Sequence, residues 1–301
     1  MQKGIVSGPS VRPQPQNTGH IVRPHDPRIR SLQLLRDEHE RSKSGRFLAE
    51  GVRFVATAVH FGASIETVIL APDLAKLPLA HQLAHKLHQG GAALYIVSTA
   101  VFHSLSVAAE PQGIAIVIRQ NFLTLSAVDP RKGLCWIALE GVKNPGNLGT
   151  TLRSAEAVGA AGLILIDAAA DPYHPVCVRA SMGSLFSLSI VRTTARQFKT
   201  WKKETGITLV GTSPAGDYDY RDAPFNKPAI LLMGSERKGM TAGAQSLCDY
   251  TVKIPMSGAT DSLNLGVAAS ILLYEVLRRD SAEGGGSDGG NVPDRSVREA
   301  G

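Results

Sequence analysis

Three cysteines in 301 residues, Cys135, Cys177 and Cys248, are too widely spaced and odd in number for a disulfide framework or a clustered zinc site. Aromatic residues make up only 5% of the chain, and no apolar run approaches the roughly 18 residues needed to cross a bilayer. Met1 to Asn17 is polar and Pro-rich, without the apolar stretch of a secretion signal. These shortages exclude an oxidative scaffold, a structural metal and a membrane span. They set the expectation of a soluble, cytoplasmic protein.

Hydrophobic residues, at 43%, are ample for buried cores, and the length suggests two domains. Lys and Arg number 32 against 26 Asp and Glu, a formal charge of +6 that is compatible with nucleic acid but does not require it. The charge is unevenly spread. Residues 280–301 hold five acids and two bases, which leaves the body from 23 to 279 at +7.

Composition shifts divide the chain into a disordered tail over 1–27, a small α/β unit over 28–120, a linker over 121–133, a second unit over 134–279 and a disordered tail over 280–301. In the first unit the spacing predicts a helix over Ile29–Glu40, a basic loop, helices over Gly51–Phe61 and Leu79–His88, and strands at Thr67–Leu70, Leu94–Val97 and Gly113–Ile118. In the second unit, apolar runs at Leu134–Leu139, Gly162–Ile166, Leu188–Val191, Ile207–Val210, Ala229–Met233 and Tyr250–Ile254 alternate with helical patterns. Such alternation predicts a parallel sheet covered on both faces. A closing helix over Leu263–Arg279 carries Leu263, Val267, Ile271 and Tyr274 at spacings of four, four and three.

Three segments place Gly, Asn, Ser or charge where strands end, the edge at which open α/β sheets bind ligands. The first, Asn144-Pro145-Gly146-Asn147-Leu148-Gly149-Thr150-Thr151-Leu152-Arg153-Ser154-Ala155-Glu156, reads as a Gly-containing loop opening a helix, with Asn147 able to cap it. It is neither GxxxxGK[ST] nor GxGxxG, so no standard nucleotide site is supported. On the residues of this segment alone, a plain loop and helix N-cap with an Arg153–Glu156 surface ion pair is the favoured reading. The second runs from a buried strand into a charged turn, Leu231-Leu232-Met233-Gly234-Ser235-Glu236-Arg237-Lys238-Gly239-Met240. The third, Ile254-Pro255-Met256-Ser257-Gly258-Ala259-Thr260-Asp261-Ser262-Leu263-Asn264-Leu265-Gly266, holds more polar side chains than capping one helix requires.

Together, in this order and spacing, the three segments resemble the three motifs of the SpoU (TrmH-like) branch of the SPOUT RNA methyltransferases. Gly45 to Arg53 and Pro111-Gln112-Gly113 are more weakly similar to that family's N-terminal substrate-binding domain, itself similar to an RNA-binding ribosomal-protein fold. The resemblance implies a C-terminal parallel-sheet domain with a deep trefoil knot, which sequence physics alone argues against. It implies S-adenosylmethionine as cofactor, held by Thr212, Gly234, Ile254, Met256 and Leu263. It further implies methyl transfer to a ribose 2′-hydroxyl, with Arg153 as catalytic arginine and Asn147, Glu236, Ser262 and Asn264 orienting it and the ribose. Guanidinium groups stay protonated at neutral pH, which favours Arg153 as a stabiliser of phosphate and hydroxylate over a base. Arg237-Lys238 and Leu265-Gly266 depart from the residues common in the family without removing a motif residue.

RNA is expected on the first unit, where Arg23, Arg28, Arg30, Arg36, Arg41, Lys43, Arg46 and Arg53 fall within a short stretch opposed by five acids. Arg41, Lys43, Arg46 and Arg53 are the leading contacts, and Phe47 and Phe54 the candidates for stacking. His81, His85 and His88 share a helical face but lack acidic partners, so no metal is expected. The accessory N-terminal domain favours ribosomal RNA over transfer RNA. A catalytically inactive RNA-binding or assembly protein is the competing class. The resemblance also implies a homodimer.

Overall fold

A parallel strand buried on both faces must be apolar throughout, and in the computed structural model the five residues of each of three central strands are all buried. The structure describes residues 19–21, 25–167, 169–225, 229–260 and 262–283. The first unit runs β1 (Gly19–Ile21), α1 (Pro27–Gln33), α2 (Glu38–Ser44), β2 (Arg46–Glu50), α3 (Val52–His60), β3 (Ile65–Leu70), α4 (Pro78–Gln89), β4 (Ala93–Val97), α5 (Thr99–Leu105) and β5 (Ile114–Arg119). Its sheet has the order β1-β4-β3-β5-β2, with β5 antiparallel to both neighbours.

The single helix expected over Ile29–Glu40 is broken at Asp37, whose extended backbone and side chain cap α2 through the Glu40 N–H. The expected basic loop contains strand β2, in which Phe47 and Ala49 point inward between exposed and half-buried neighbours. Strand β1 lies inside the segment 1–27 expected as a tail. Asp26 and Pro27, also inside that segment, open α1, while residues 1–18 and 22–24, with the base Arg23, fall outside the described residues.

The second unit runs β6 (Trp136–Glu140), α6 (Pro145–Ala157), β7 (Gly162–Ile166), α7 (Pro175–Ser181), β8 (Ser189–Thr193), α8 (Ala195–Thr205), β9 (Thr208–Thr212), β10 (Tyr218–Asp219), β11 (Ala229–Met233), α9 (Ala242–Gln245), β12 (Tyr250–Lys253) and α10 (Leu265–Glu283). All seven strands are parallel, in the order β10-β12-β9-β11-β6-β7-β8. The closing helix passes its expected end at Arg279 and reaches Glu283. Its Arg279 guanidinium donates to the Arg221 carbonyl, and Arg278 and Arg279 both pair with Glu275.

One hydrophobic core is continuous across both units. Arg41 spans the boundary: it is 1% exposed, its Nε donates to Asp171 Oδ2 at 2.8 Å, and its Nη1 donates to the carbonyls of Leu35 and Arg36. Its Nη2 lies 2.7 Å from the same carboxylate oxygen, an ion-pair contact without hydrogen-bond alignment. Arg41 is thus a bolt between the units and is not available to RNA, which corrects the expectation placed on it. Phe47 is corrected in the same way. It is 2% exposed and packs on Tyr173, with ring centroids 4.5 Å apart, where it cannot stack on a base. Burial of Tyr173 pushes its hydroxyl up to about 12.

Candidate active site

Because every strand of the second sheet points the same way, the loops after β6, β9, β11 and β12 leave from one edge. The strand order sets them side by side. Three of the expected cofactor contacts sit at those exits: Thr212 ends β9, Gly234 follows β11 and Ile254 follows β12. Met256 and Leu263, on the loop from β12 to α10, are exposed by 39% and 37%. Exposed apolar side chains at the polar end of a sheet suit a ligand with an apolar face, which is the fit an adenosyl group requires.

The polar residues of the three motifs form one chain. Glu236 Oε1 accepts from Asn147 Nδ2 at 3.0 Å, and Asn147 Oδ1 accepts from Asn264 Nδ2 at 2.8 Å. Glu236 also accepts from the backbone N–H groups of Lys143 and Asn144, each at 3.3 Å. Partial burial would raise its carboxyl. The donors on Asn147 and on the backbone of Glu236, Lys143 and Asn144 outweigh that, and hold it below the ordinary glutamate range.

Asn147 does not cap α6, contrary to expectation. The cap is Asn144, whose Oδ1 accepts from the N–H groups of Gly146 and Asn147, with Pro145 at the first helical position. The side chain of Asn147 is thereby released to bridge the second and third motifs. Asn264 Oδ1 accepts from the Gly266 N–H at the start of α10, so the third motif is tied to its own helix as well.

The loop between β11 and α9 doubles back on itself. Ser235 and Gly239 exchange backbone hydrogen bonds at 3.0 and 2.9 Å. A Cβ on Gly234 would collide with the backbone of Gly239 and Met240, so the glycine is demanded by the fold of this loop. Glu140, a buried acid at the end of β6, fixes the far side by accepting from the Thr241 N–H and hydroxyl at 2.8 and 2.7 Å. Glu140 was not anticipated, although an acid closing an apolar run is a readable signal.

Arg153 is exposed on α6, and the surface ion pair with Glu156 does not form. Among the described residues the guanidinium has no hydrogen-bond or ion-pair partner. At 100° per residue it projects between two flanks of the helix. On one, Thr150 packs against Gly266 and Ser154 shares a 2.7 Å hydrogen bond with Ser270, both on α10; on the other, Gly149 abuts Cys177 and Ala180 of α7. Ser262 is exposed on the loop before α10, and Asp261 lies outside the described residues.

Of the expected RNA contacts, Lys43, Arg46 and Arg53 are exposed, and Arg46 lies 3.8 Å from Glu66. Phe54 is half-buried. No cluster of metal ligands occurs among the described residues, and His81 and His88 contact backbone carbonyls of Ala75 and Ala92. No described helix is long and apolar enough to cross a membrane.

Comparison with known proteins places these motifs. Residues 135–274 match the model of the SpoU rRNA Methylase family, and residues 26–115 match the MRM3-like substrate binding domain. The chain is 35% identical over 253 residues to a 23S rRNA (uridine(2479)-2′-O)-methyltransferase of Streptomyces viridochromogenes, covering 82% of this chain and 87% of that protein. It is 29% identical to the 23S rRNA (guanosine(2553)-2′-O)-methyltransferase RlmP of Bacillus subtilis, over 83% of this chain and 95% of that one. Its fold matches the crystal structure of an AdoMet-bound rRNA methyltransferase from Sinorhizobium meliloti with a TM-score of 0.81 and 32% identity, covering 87% and 98% of the two chains.

Proposed function

The chain belongs to the SpoU rRNA Methylase family, and from that premise we propose that it methylates a ribose 2′-hydroxyl of ribosomal RNA with S-adenosyl-L-methionine as cofactor. The observation that carries the reading is the union of three distant motifs through Glu236, Asn147 and Asn264, with Asn147 on the helix that also carries Arg153, exposed and without a partner among the described residues.

Thr212, Gly234, Ile254, Met256 and Leu263 would hold the cofactor, whose sulfonium supplies an electrophilic methyl group when bound. The chain's own residues have three tasks. Ribose must be positioned, and positioning can contribute effective molarities on the order of 10⁵ M or more. The polar chain of Asn147 and Asn264 serves that task together with Ser262 on the loop before α10, with the ionised Glu236 locking Asn147. The 2′-oxygen must be stabilised as its proton passes to an RNA phosphate or to solvent, and Arg153, whose guanidinium has no partner among the described residues, does so and engages the adjacent phosphate. Finally, RNA must be retained, for which Lys43, Arg46 and Arg53 supply exposed charge.

The trefoil knot belongs to the same proposal. Its support is the insertion of β11 between β9 and β6 and the packing of α10 against α6. A homodimer is supported by α10, which buries Leu265, Ala269, Leu272, Leu273 and Val276 within its own subunit. Val267 and Tyr274, at 46% and 53% exposure, line up with the half-buried Ile271 on an outward stripe of this helix. We assign the protein to the cytoplasm, where ribosomal RNA is modified.

The test is transfer of labelled methyl from the cofactor to ribosomal RNA, followed by nucleoside analysis. The reading predicts a single 2′-O-methylated nucleotide. Transfer to transfer RNA alone, or to no RNA, contradicts it.

A further inference from the structure

Between the two units lies a pocket of about 360 Å³, separate from the strand-end loops and walled by Leu35, Leu48, Phe54, Leu105, Val178 and Met182. Its C-terminal wall is α7. On that helix Val178 and Arg179 face the pocket, whereas Cys177, Ala180 and Ser181 on the opposite side abut Gly149 of the helix that carries Arg153. The pocket thus lies across α7 from the helix that carries Arg153.

The mouth carries more positive than negative charge, and part of it is held in place. Arg36, Arg53 and Arg179 line it against the acids Glu50 and Glu110. Arg36 donates to the Ser106 carbonyl at 2.8 Å, and Arg179 makes a longer contact of 3.5 Å to the Val107 carbonyl. From below, Glu50 Oε1 accepts from the N–H groups of Val107 and Ala108, both at 2.9 Å, so the segment 106–108 is tied down from both sides. The other Glu50 oxygen is buried at the pocket wall without a donor among the described residues, ready to accept from an N–H of a bound group. Leu77 and Val107 stay 48% and 45% exposed at the rim.

An apolar interior under three guanidinium groups selects a ligand with a flat, weakly polar body and a negative charge. The volume lies at the low end of the range for small-ligand sites, which fits one such group and is too small for a helix or a peptide strand. Unpaired RNA presents that combination, a base bearing N–H donors attached to phosphates, and proteins take such bases by splaying them onto aromatic or guanidinium planes. We infer that this pocket holds one unstacked nucleoside of the RNA strand, a few nucleotides from the methylated ribose. The base lies among Phe54, Val178 and Met182, and the phosphates lie on Arg36, Arg53 and Arg179. The inference rests on the RNA methyl-transfer reading above.

Two variants of the full chain test it. Ala108→Trp fills the mouth, and Arg53→Glu reverses its charge at an exposed position that keeps the variant foldable should Ala108→Trp misfold. With ribosomal RNA as substrate, both should raise KM for RNA at least tenfold and leave the cofactor Kd unchanged. Ribosomal RNA transcribed with 4-thiouridine and irradiated should cross-link to residues 105–112 or 175–182 of the wild type, and lose those cross-links with either variant. A wild-type KM in both variants, with cross-links confined to other surfaces, overturns the inference; that is also the outcome if the pocket serves a small anionic molecule other than RNA. If the wild type methylates no RNA, the methyl-transfer reading fails, and the cross-linking result still decides whether the pocket binds a base.

Discussion

Glu236→Ala removes the acceptor that gathers Asn147 and the 143–144 backbone, and the structure sets the scale of the loss. A hydrogen bond to a charged group contributes about 1.5–3 kcal/mol when buried. Here only the Asn147 bond, at 3.0 Å, is short; the backbone donors stand at 3.3 Å and the residue is exposed. Solvent screening brings the total to about 2 kcal/mol, and to about 1 kcal/mol for Glu236→Gln, which keeps the Asn147 bond but loses its charge. For a chain of this size that is a fall in Tm of about 4–8 °C for the alanine and about half that for the glutamine. The same ordering should appear in kcat/KM for RNA methylation, reduced roughly thirtyfold and fivefold on the same energies. The pH dependence has a definite sign. The Glu236 carboxyl is held below its ordinary range, so its contribution is fully present above the unfolded-state value and is lost as pH falls through the depressed folded value. Wild type should therefore lose stability on acidification along a limb that Glu236→Gln lacks. Matched melting curves for Glu236→Ala and wild type at neutral and acid pH would refute the reasoning.

Three further perturbations probe the rest of the fold. Gly234→Ala forces a Cβ against the backbone of Gly239 and Met240, and should cost about 3 kcal/mol with loss of cofactor binding by calorimetry. Arg41→Ala leaves Asp171 buried with Arg192 at 4.0 Å as its remaining cation among the described residues and the Tyr173 N–H as a donor, and should destabilise by about 3 kcal/mol, with Tm as the readout and cofactor affinity retained in the folded fraction. Ending the chain after Glu283 preserves α10 and removes three acids and two bases. Methyl transfer and RNA affinity at low salt should both be unchanged, whereas ending at Arg279 cuts into the helix and should lower Tm.

The second unit was legible because a parallel strand buried on both faces writes itself as an uninterrupted apolar run. Gly162–Ile166 and Ala229–Met233 were located to the residue for that reason. The polar triad was readable as residues but not as a network, because Asn147 was assigned the cap that Asn144 occupies. Two asparagines three positions apart at a helix start offer the same side chain for the same role, and only the chain's path chooses between them. In the first unit, local charge density concealed structure. Arg46 to Glu50 alternates in burial but reads in sequence as three apolar residues between two charges, and Asp37 reads as a surface acid until its backbone breaks the helix. Arg41 could not be read at all: its partner Asp171 is 130 residues away, so nothing near it in sequence marks it as buried. The pocket between the units was invisible for the same reason, since its walls come from segments more than a hundred residues apart.

The central claim is that Arg153 stabilises the developing ribose oxyanion. It is tested most directly by single-turnover methyl transfer to ribosomal RNA with Arg153→Ala and Arg153→Lys, with cofactor Kd measured alongside. Loss of one such stabilising group reduces the rate about 10²–10³-fold. The account predicts a loss of that size for Arg153→Ala, partial retention for Arg153→Lys, and an unchanged cofactor Kd. A wild-type single-turnover rate in Arg153→Ala would contradict it.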